Sequence, residues 1–255
     1  MRTISFCNQK GGVGKTTSAA EIAGLLAARG NRVLAVDMDP QGNLSDVFGA
    51  NLEGRDSVYE LLRGDASFQD VLLTCGNVDL LPAEITLAML EPELAGVSLG
   101  REQRLREHLS KHSNKYDFCV IDCPPSLGLL VTMALTASDY VVIPTTASLF
   151  ASKGIAQLAS TIQMVQTYSN PRLKIAGVLF GKHHAEQRNA KMIREVAEIM
   201  AANLGTSLFE TYIREAVEVE DAHNAAQTIC ERNPKANPAV DYEAFCAELL
   251  ERIGD

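Results

Sequence analysis

Short apolar runs alternate along the chain with longer stretches of helical periodicity. Residues 3–7 predict a first strand, and residues 16–29 predict a helix that Gly30 stops. Further strands are predicted at 32–37, 78–81, 118–122, 140–144 and 174–180. Helical patterns fall at 101–111, 128–137, 151–168, 189–204 and 240–253. Strands that alternate with helices imply a parallel sheet with helices on both faces. Near-continuous Val/Ile/Leu strands suit a sheet buried on both sides. The fold class predicted is therefore α/β, doubly wound and mostly parallel. Residues 45–100 are the least regular and predict short helices covering the sheet. No internal repeat or low-complexity linker interrupts the pattern, so one domain over 1–255 is expected.

In such a sheet, ligands sit beyond the carboxyl ends of the strands. The chemically suggestive residues fall there: 8–17 after the first strand, 37–43 after the second, and 122–125 after a central one. Order and placement agree, which carries more weight than any one motif.

Composition narrows the picture further. At 255 residues and 46% hydrophobic, the chain can build one sizeable core. A net charge of -9 argues against a protein that simply coats nucleic acid. The six cysteines form no C-x-x-C pair and suit a reduced, cytosolic chain. No run approaches the roughly 20 apolar residues of a membrane span. One local exception to the acidic balance exists. Residues 172–194 hold Arg172, Lys174, Lys182, Arg188, Lys191 and Arg194 against Glu186 alone, a segment of +5 in a remainder of -14.

The run Lys10-Gly11-Gly12-Val13-Gly14-Lys15-Thr16-Thr17 carries the strongest chemical signal. Its glycines let the backbone curl so that N–H groups, together with the start of the following helix, form an anion cradle. Lys15 can reach β/γ-phosphates, and the Thr16 hydroxyl suits a Mg²⁺ ligand. The strict pattern G-x-x-x-x-G-K-[ST] is not met, because Gln9 holds the first glycine position and Lys10 adds a second lysine. Residues 120–122 are an apolar run ending in Asp122, which places one carboxylate at a strand tip. Since Mg²⁺ keeps several waters, Asp122 is expected to bind it through water. A guanine-reading Asn-Lys-x-Asp is missing, as residues 233–237 lack the aspartate, so ATP is favoured.

Here the chain resembles the deviant Walker A class of P-loop ATPases, which includes the ParA/Soj partition proteins, MinD and the nitrogenase iron protein. The resemblance covers nearly the whole chain. It implies that Lys10 reaches across a dimer interface to the partner's nucleotide. It implies that Asp39, within residues 37–43, positions the attacking water, and that residues 120–128 are the Walker B strand and second switch. Family members read the base through a Pro-Arg-Asn turn; Ile213-Arg214-Glu215 stand there in this chain, so Ile213 and Glu215 are the expected base contacts.

Among relatives, the sequence favours the Soj branch. Cys123 adjoins Asp122 instead of following a few residues later, which argues against an iron–sulfur reductase. Residues 244–253 are amphipathic but acidic, unlike a membrane-binding tail. With the phosphate loop so near the first residue, the short chromosomal type, without a helix-turn-helix extension, is expected. The resemblance thus implies a slow ATPase that forms an ATP-bound homodimer. The dimer is expected to bind DNA non-specifically through Arg188, Lys191, Arg194 and Arg214. It would engage a ParB-like adaptor that stimulates hydrolysis, and so segregate a plasmid or chromosome from a cytoplasmic, nucleoid-associated position. Two alternatives accompany this expectation: positioning of a protein body such as a carboxysome or chemoreceptor cluster, and a regulatory binding module in which hydrolysis is incidental.

Overall fold

A computed structural model describes residues 1–146, 151–183 and 190–254; within these, the side chains of 151–155, 182–183, 190–193 and 200 are left aside. The strands are β1 (Arg2–Phe6), β2 (Val33–Asp37), β3 (Leu73–Cys75), β4 (Val78–Leu81), β5 (Phe118–Asp122), β6 (Tyr140–Thr145), β7 (Lys174–His183) and β8 (Leu208–Arg214). They form one sheet in the order β3-β4-β2-β5-β1-β6-β7-β8. Every pairing is parallel except the β3–β4 hairpin. The chain steps from β1 over β5 to β2, and later returns across β1 from β5 to β6. β1 is therefore the point where the winding reverses, and the clefts beside its carboxyl end are where ligands bind in such sheets.

The strand period of two divides the apolar residues between two cores. Leu34 and Val36 of β2, Cys119 and Ile121 of β5, and Val141 and Ile143 of β6 face one of them. Val33 and Ala35, Phe118 and Val120, and Val142 face the other. The first face is covered by α3 (Val58–Arg63), α6 (Arg104–Lys111), α7 (Leu129–Ala137), α8 (Ala151–Tyr168) and α9 (Ala190–Asn203). The second is covered by α1 (Lys15–Ala28) and the terminal α12 (Asn237–Ile253), together with the short α2 (Asn43–Val47), α10 (Glu218–Asn224) and α11 (Ile229–Arg232). Two further short helices, α4 (Phe68–Val71) and α5 (Leu90–Glu93), complete the set. Ten of the fourteen residues of α1 are buried, as expected of a helix sandwiched between sheet and α12.

The doubly wound, mostly parallel sheet follows the sequence expectation, and the irregular stretch 45–100 is indeed a set of short helices around β4. Two strands are additions. β3 is three residues long and closes on β4 through Gly76 at φ +59. β8 lies at the other edge, and its solvent-side Glu210 interrupts the apolar run that marks the inner strands. The helix expected at 240–253 begins earlier, with Pro238 in its first turn, where the missing N–H costs nothing.

Phe245 of α12 is fully buried and meets Phe209 of β8 edge-to-face, with centroids 4.8 Å apart, while the Arg252 guanidinium lies 4.0 Å over the Phe209 ring. Replacing Phe245 by alanine should therefore lower unfolding stability by about 3–5 kcal/mol. Urea titration followed by circular dichroism checks this; a loss under about 1 kcal/mol would mean that α12 contributes little to the second core.

Candidate functional site: a phosphate-binding loop and two buried carboxylates

The loop from β1 to α1 turns at Gly12 and Gly14, whose φ of +69° and +91° lie in the left-handed region that side chains disfavour. Gly14 is the N-cap of α1, so the free N–H groups of the first helical turn point into the loop. Val13 is buried and anchors the turn, while a Cβ on Gly11 or Gly12 would meet nothing within 4 Å. The loop therefore surrounds an open cradle. Asn8, also buried, ties the loop to β6: its Nδ2 donates to the Pro144 carbonyl (2.6 Å), and its Oδ1 accepts from the Lys10 N–H (3.0 Å).

The two lysines are held differently. Lys15 is buried, and its Nζ donates to the Lys10 carbonyl (3.2 Å) across the cradle. Lys10 is half-buried, and its Nζ donates to Thr146 Oγ1 (3.3 Å), a neutral partner beyond the end of β6.

Asp37 and Asp122 stand side by side at the ends of β2 and β5, and both are fully buried. Burial pushes the Asp37 carboxyl up to about 6, against hydrogen bonds from the Ser45 N–H (2.9 Å), the Ser45 hydroxyl (2.8 Å) and the Asp39 N–H (3.0 Å). Burial, then the Asp37 charge, raise the Asp122 carboxyl well above the usual carboxylate range; the Thr16 hydroxyl and the Lys15 charge work in the opposite direction. Thr16 Oγ1 donates to Asp122 Oδ2 at 2.6 Å, but the buried Oδ1 has no hydrogen-bond partner. A buried acceptor without a donor is rare and costly. With the open cradle beside it, this orphaned oxygen fits a hard cation held between Thr16, Asp122 and phosphate oxygens. Among the described residues, no group of three or more His, Cys, Asp or Glu side chains is arranged to hold a metal alone.

Asp39 is buried just beyond the end of β2, and its Oδ1 accepts the Gln41 N–H at 3.0 Å. Below the loop, the Cys7 and Cys123 thiols lie against each other, and burial pushes Cys123 well up.

Beside the cradle opens a cavity of about 210 Å³, lined by Val13, Thr17, Pro144, Ile213, Glu215 and Tyr242 among others. Both expected base contacts, Ile213 and Glu215, thus line one pocket continuous with the phosphate loop. Tyr242 and Ser18, paired through their hydroxyls at 3.2 Å, form its floor. Sequence reading placed Asn8 and Asp37 within suggestive stretches without giving either a role, and it did not single out Tyr242. Asp37 had a signal, as the last residue of a strand buried on both faces. Tyr242 had none, because it reaches the pocket from the far end of the chain.

Of the expected DNA contacts, the side chains of Arg194 and Arg214 are described. Arg188 lies outside the described residues, and Lys191 sits in the first turn of α9. Arg194 is engaged by Glu198 (3.1 Å) and Glu210 (3.0 Å) in exposed ion pairs. Arg214 is clamped by both oxygens of Asp241, at 2.6 and 2.9 Å, and lines the base-side cavity.

The buried carboxylates fix a pH dependence. Asp37 has a folded-state pKa above its ordinary 3.8, so its stabilising contribution is complete below that value and lost as pH rises through about 6. The nucleotide-free chain should gain of order 1–3 kcal/mol between pH 7 and pH 5. Asp122→Asn, which removes one of the two charges, should raise stability at pH 7 and flatten that rise. Urea unfolding across this range checks it; a destabilised Asp122→Asn at pH 7 would contradict the repulsion.

Residues 1–175 match the family described as an AAA domain. The chain is 39% identical over 254 residues to the sporulation initiation inhibitor protein Soj of Bacillus subtilis, covering 97% of this chain and 98% of that one. It is 35% identical over 260 residues to the chromosome partitioning protein ParA of Caulobacter vibrioides, covering 100% and 96%. Its fold matches a crystal structure of cobyrinic acid a,c-diamide synthase from Mycobacterium smegmatis with bound ATP analog and magnesium. That match has a TM-score of 0.81 at 32% identity and covers 99% of this chain and 96% of the other. These likenesses extend over the full chain, and the chain belongs to the ParA/Soj family of P-loop partition ATPases.

Proposed function

We propose that this chain is an ATP-hydrolysing dimerisation switch whose ATP-bound dimer binds DNA non-specifically and drives plasmid or chromosome partitioning with a ParB-like adaptor. The observation that carries the reading is the orphaned Asp122 Oδ1 beside Thr16 and an open glycine cradle. A structural neighbour described with bound ATP analog and magnesium supports the same occupancy.

In this reading the loop amides from Gly11 to Thr17 and the start of α1 hold the β- and γ-phosphates, and Lys15 leaves the Lys10 carbonyl to bridge them. Thr16 supplies its hydroxyl, and Asp122 a carboxylate acting through water, to hold Mg²⁺. Held there, Mg²⁺ would supply positive charge to the phosphate oxygens. Asp39, buried just beyond the end of β2 with its Oδ1 held by the Gln41 N–H, orients the attacking water. Lys10, tethered only to a neutral hydroxyl among the described residues, swings to the partner's phosphates and stabilises charge there. Ile213 and Glu215 flank the base.

DNA contact is assigned to Arg188, Lys191 and Arg194, on the segment of +5 charge. The exposed ion pairs of Arg194 are weak enough to exchange for phosphates. Arg214, clamped to an Asp241 side chain only 12% exposed, contributes less to DNA and more to the pocket wall. Among the described residues, no helix is long and apolar enough to cross a membrane. A cytoplasmic, nucleoid-associated location follows from the DNA reading.

Lys15→Ala should abolish ATP binding. Lys10→Ala should bind ATP but fail to dimerise with a non-hydrolysable analogue, and Asp39→Ala should bind and dimerise yet turn over about 10²-fold or more slowly. Equilibrium binding, sedimentation and phosphate release separate the three. A Lys10→Ala chain that dimerises normally overturns the trans role, and an Asp39→Ala chain that folds but binds no ATP overturns the water-positioning role.

DNA binding should appear only with ATP, at any sequence, and weaken by roughly 0.9 in log–log salt slope per neutralised phosphate. Replacing Arg188, Lys191 and Arg194 together by alanine should reduce that slope by about 2–3 with ATP affinity unchanged. Filter binding at several salt concentrations reads it out. Equal binding with ATP, ADP and no nucleotide removes the switch.

A further inference from the structure

The two loops that flank the phosphate site are joined by one short segment, residues 83–91. At its start, the Ala83 N–H donates to Ser45 Oγ (3.0 Å), and that hydroxyl donates to Asp37 Oδ2 (2.8 Å). The segment then runs through a 3₁₀ turn, Ile85–Met89, into α5. Leu87 and Leu90, both fully buried, pin it to the first core. At its end, Glu91 Oε2 accepts the Leu129 N–H (3.2 Å), the first amide of α7. The carboxylate also lies directly against the Cα of Gly128. A Cβ there would collide with it, lying 3.0 Å from Oε1 and 3.1 Å from Cδ. Gly128 has φ -85°, which any residue can adopt, so a side chain there is opposed only by the Glu91 carboxylate, which would have to shift off the start of α7.

The loop from Asp122 to Gly128 is thereby fixed at both ends. At one end the Cys123 N–H donates to the Phe6 carbonyl (3.3 Å); at the other, Glu91 holds the start of α7. Between them, Pro125 and Ser126 are exposed. A negative charge on the first turn of a helix is favourable, and it selects one position for that turn. The same rigid segment fixes Ser45, and through it the Asp37–Asp39 loop.

We infer that Glu91 is a positioning residue for ATP hydrolysis: through Gly128–Leu129 and the segment back to Ala83, it sets the Asp122 loop and the Asp39 loop in one mutual arrangement. The inference rests on the ATPase reading above. Glu91 is exposed, and its contacts described above are with Gly128 and Leu129 and not with the phosphate loop, so its loss should leave nucleotide binding intact and misalign the loops.

The test uses the full-length chain, Glu91→Ala, Glu91→Gln, Gly128→Ala and the Glu91→Ala/Gly128→Ala double variant. Amide hydrogen exchange without nucleotide is read over residues 38–46 and 124–131. Glu91→Ala should speed exchange about tenfold in both stretches, Gly128→Ala should do the same, and Glu91→Gln, which keeps the acceptor oxygen, should restore most of the protection. In turnover, Glu91→Ala should lower kcat about tenfold with KM within about twofold, and the double variant should be no slower than the worse single one. Faster exchange confined to 124–131, with 38–46 unchanged, overturns the coupling. A glutamine variant no better than alanine, or an unchanged kcat in every variant, overturns the positioning role. If the unaltered chain itself releases no phosphate, the ATPase reading fails, and the exchange measurement still decides whether Glu91 couples the loops.

Discussion

Asp37 and Asp122 end adjacent parallel strands in the same register, and neither reaches solvent. Two carboxylates so placed repel one another in a medium that screens poorly. The site is built around relieving that repulsion. Asp37 is satisfied by its own loop, through Ser45 and the Asp39 amide, and so serves as a hinge post. Asp122 is only half satisfied, by Thr16, and its second oxygen is left for a cation. The β1–β5 and β2–β5 pairings set this asymmetry, since they place Asp122 under the phosphate loop and Asp37 one strand further away.

The same pairings explain how distant parts of the chain meet. β1 is flanked by β5 and β6, strands more than a hundred residues away in sequence. Asn8 reaches Pro144 and Lys10 reaches Thr146 because β6 lies on the other side of β1. The base-side cavity draws on β6, β8 and α12, so its walls are assembled from the last third of the chain as well as the first turn of α1. Residues 83–91 then link the Asp37 and Asp122 loops. Nucleotide chemistry in this fold depends on four loops held by one sheet, and a change at any strand tip is felt by its neighbours.

Electrostatics divide the molecule. The whole chain carries -9, yet the site concentrates Lys10, Lys15 and helix-end N–H groups in one cleft. Acidic partners offset the described basic residues at the far edge: Glu198 and Glu210 for Arg194, Asp241 for Arg214.

Local pattern determined much of this. Short, near-continuous apolar runs alternating with stretches of helical periodicity declared a doubly wound α/β sheet, and the phosphate loop was legible because glycine spacing, a lysine and a hydroxyl must be contiguous to cradle a phosphate. Asp122 was legible because an apolar strand delivers its last residue to the sheet's carboxyl edge. The edge strands β3 and β8 were not legible, since a short hairpin and a strand interrupted by Glu210 carry no buried run. Tertiary structure alone decided that Asp37 faces Ser45, that Tyr242 floors the pocket, that Asp241 claims Arg214, and that Glu91 lies on Gly128. Each of these is a contact between residues separated by between 8 and 224 positions. Periodicity records which face of an element is buried but holds no trace of what that face will meet, and only the packed sheet supplies the partner.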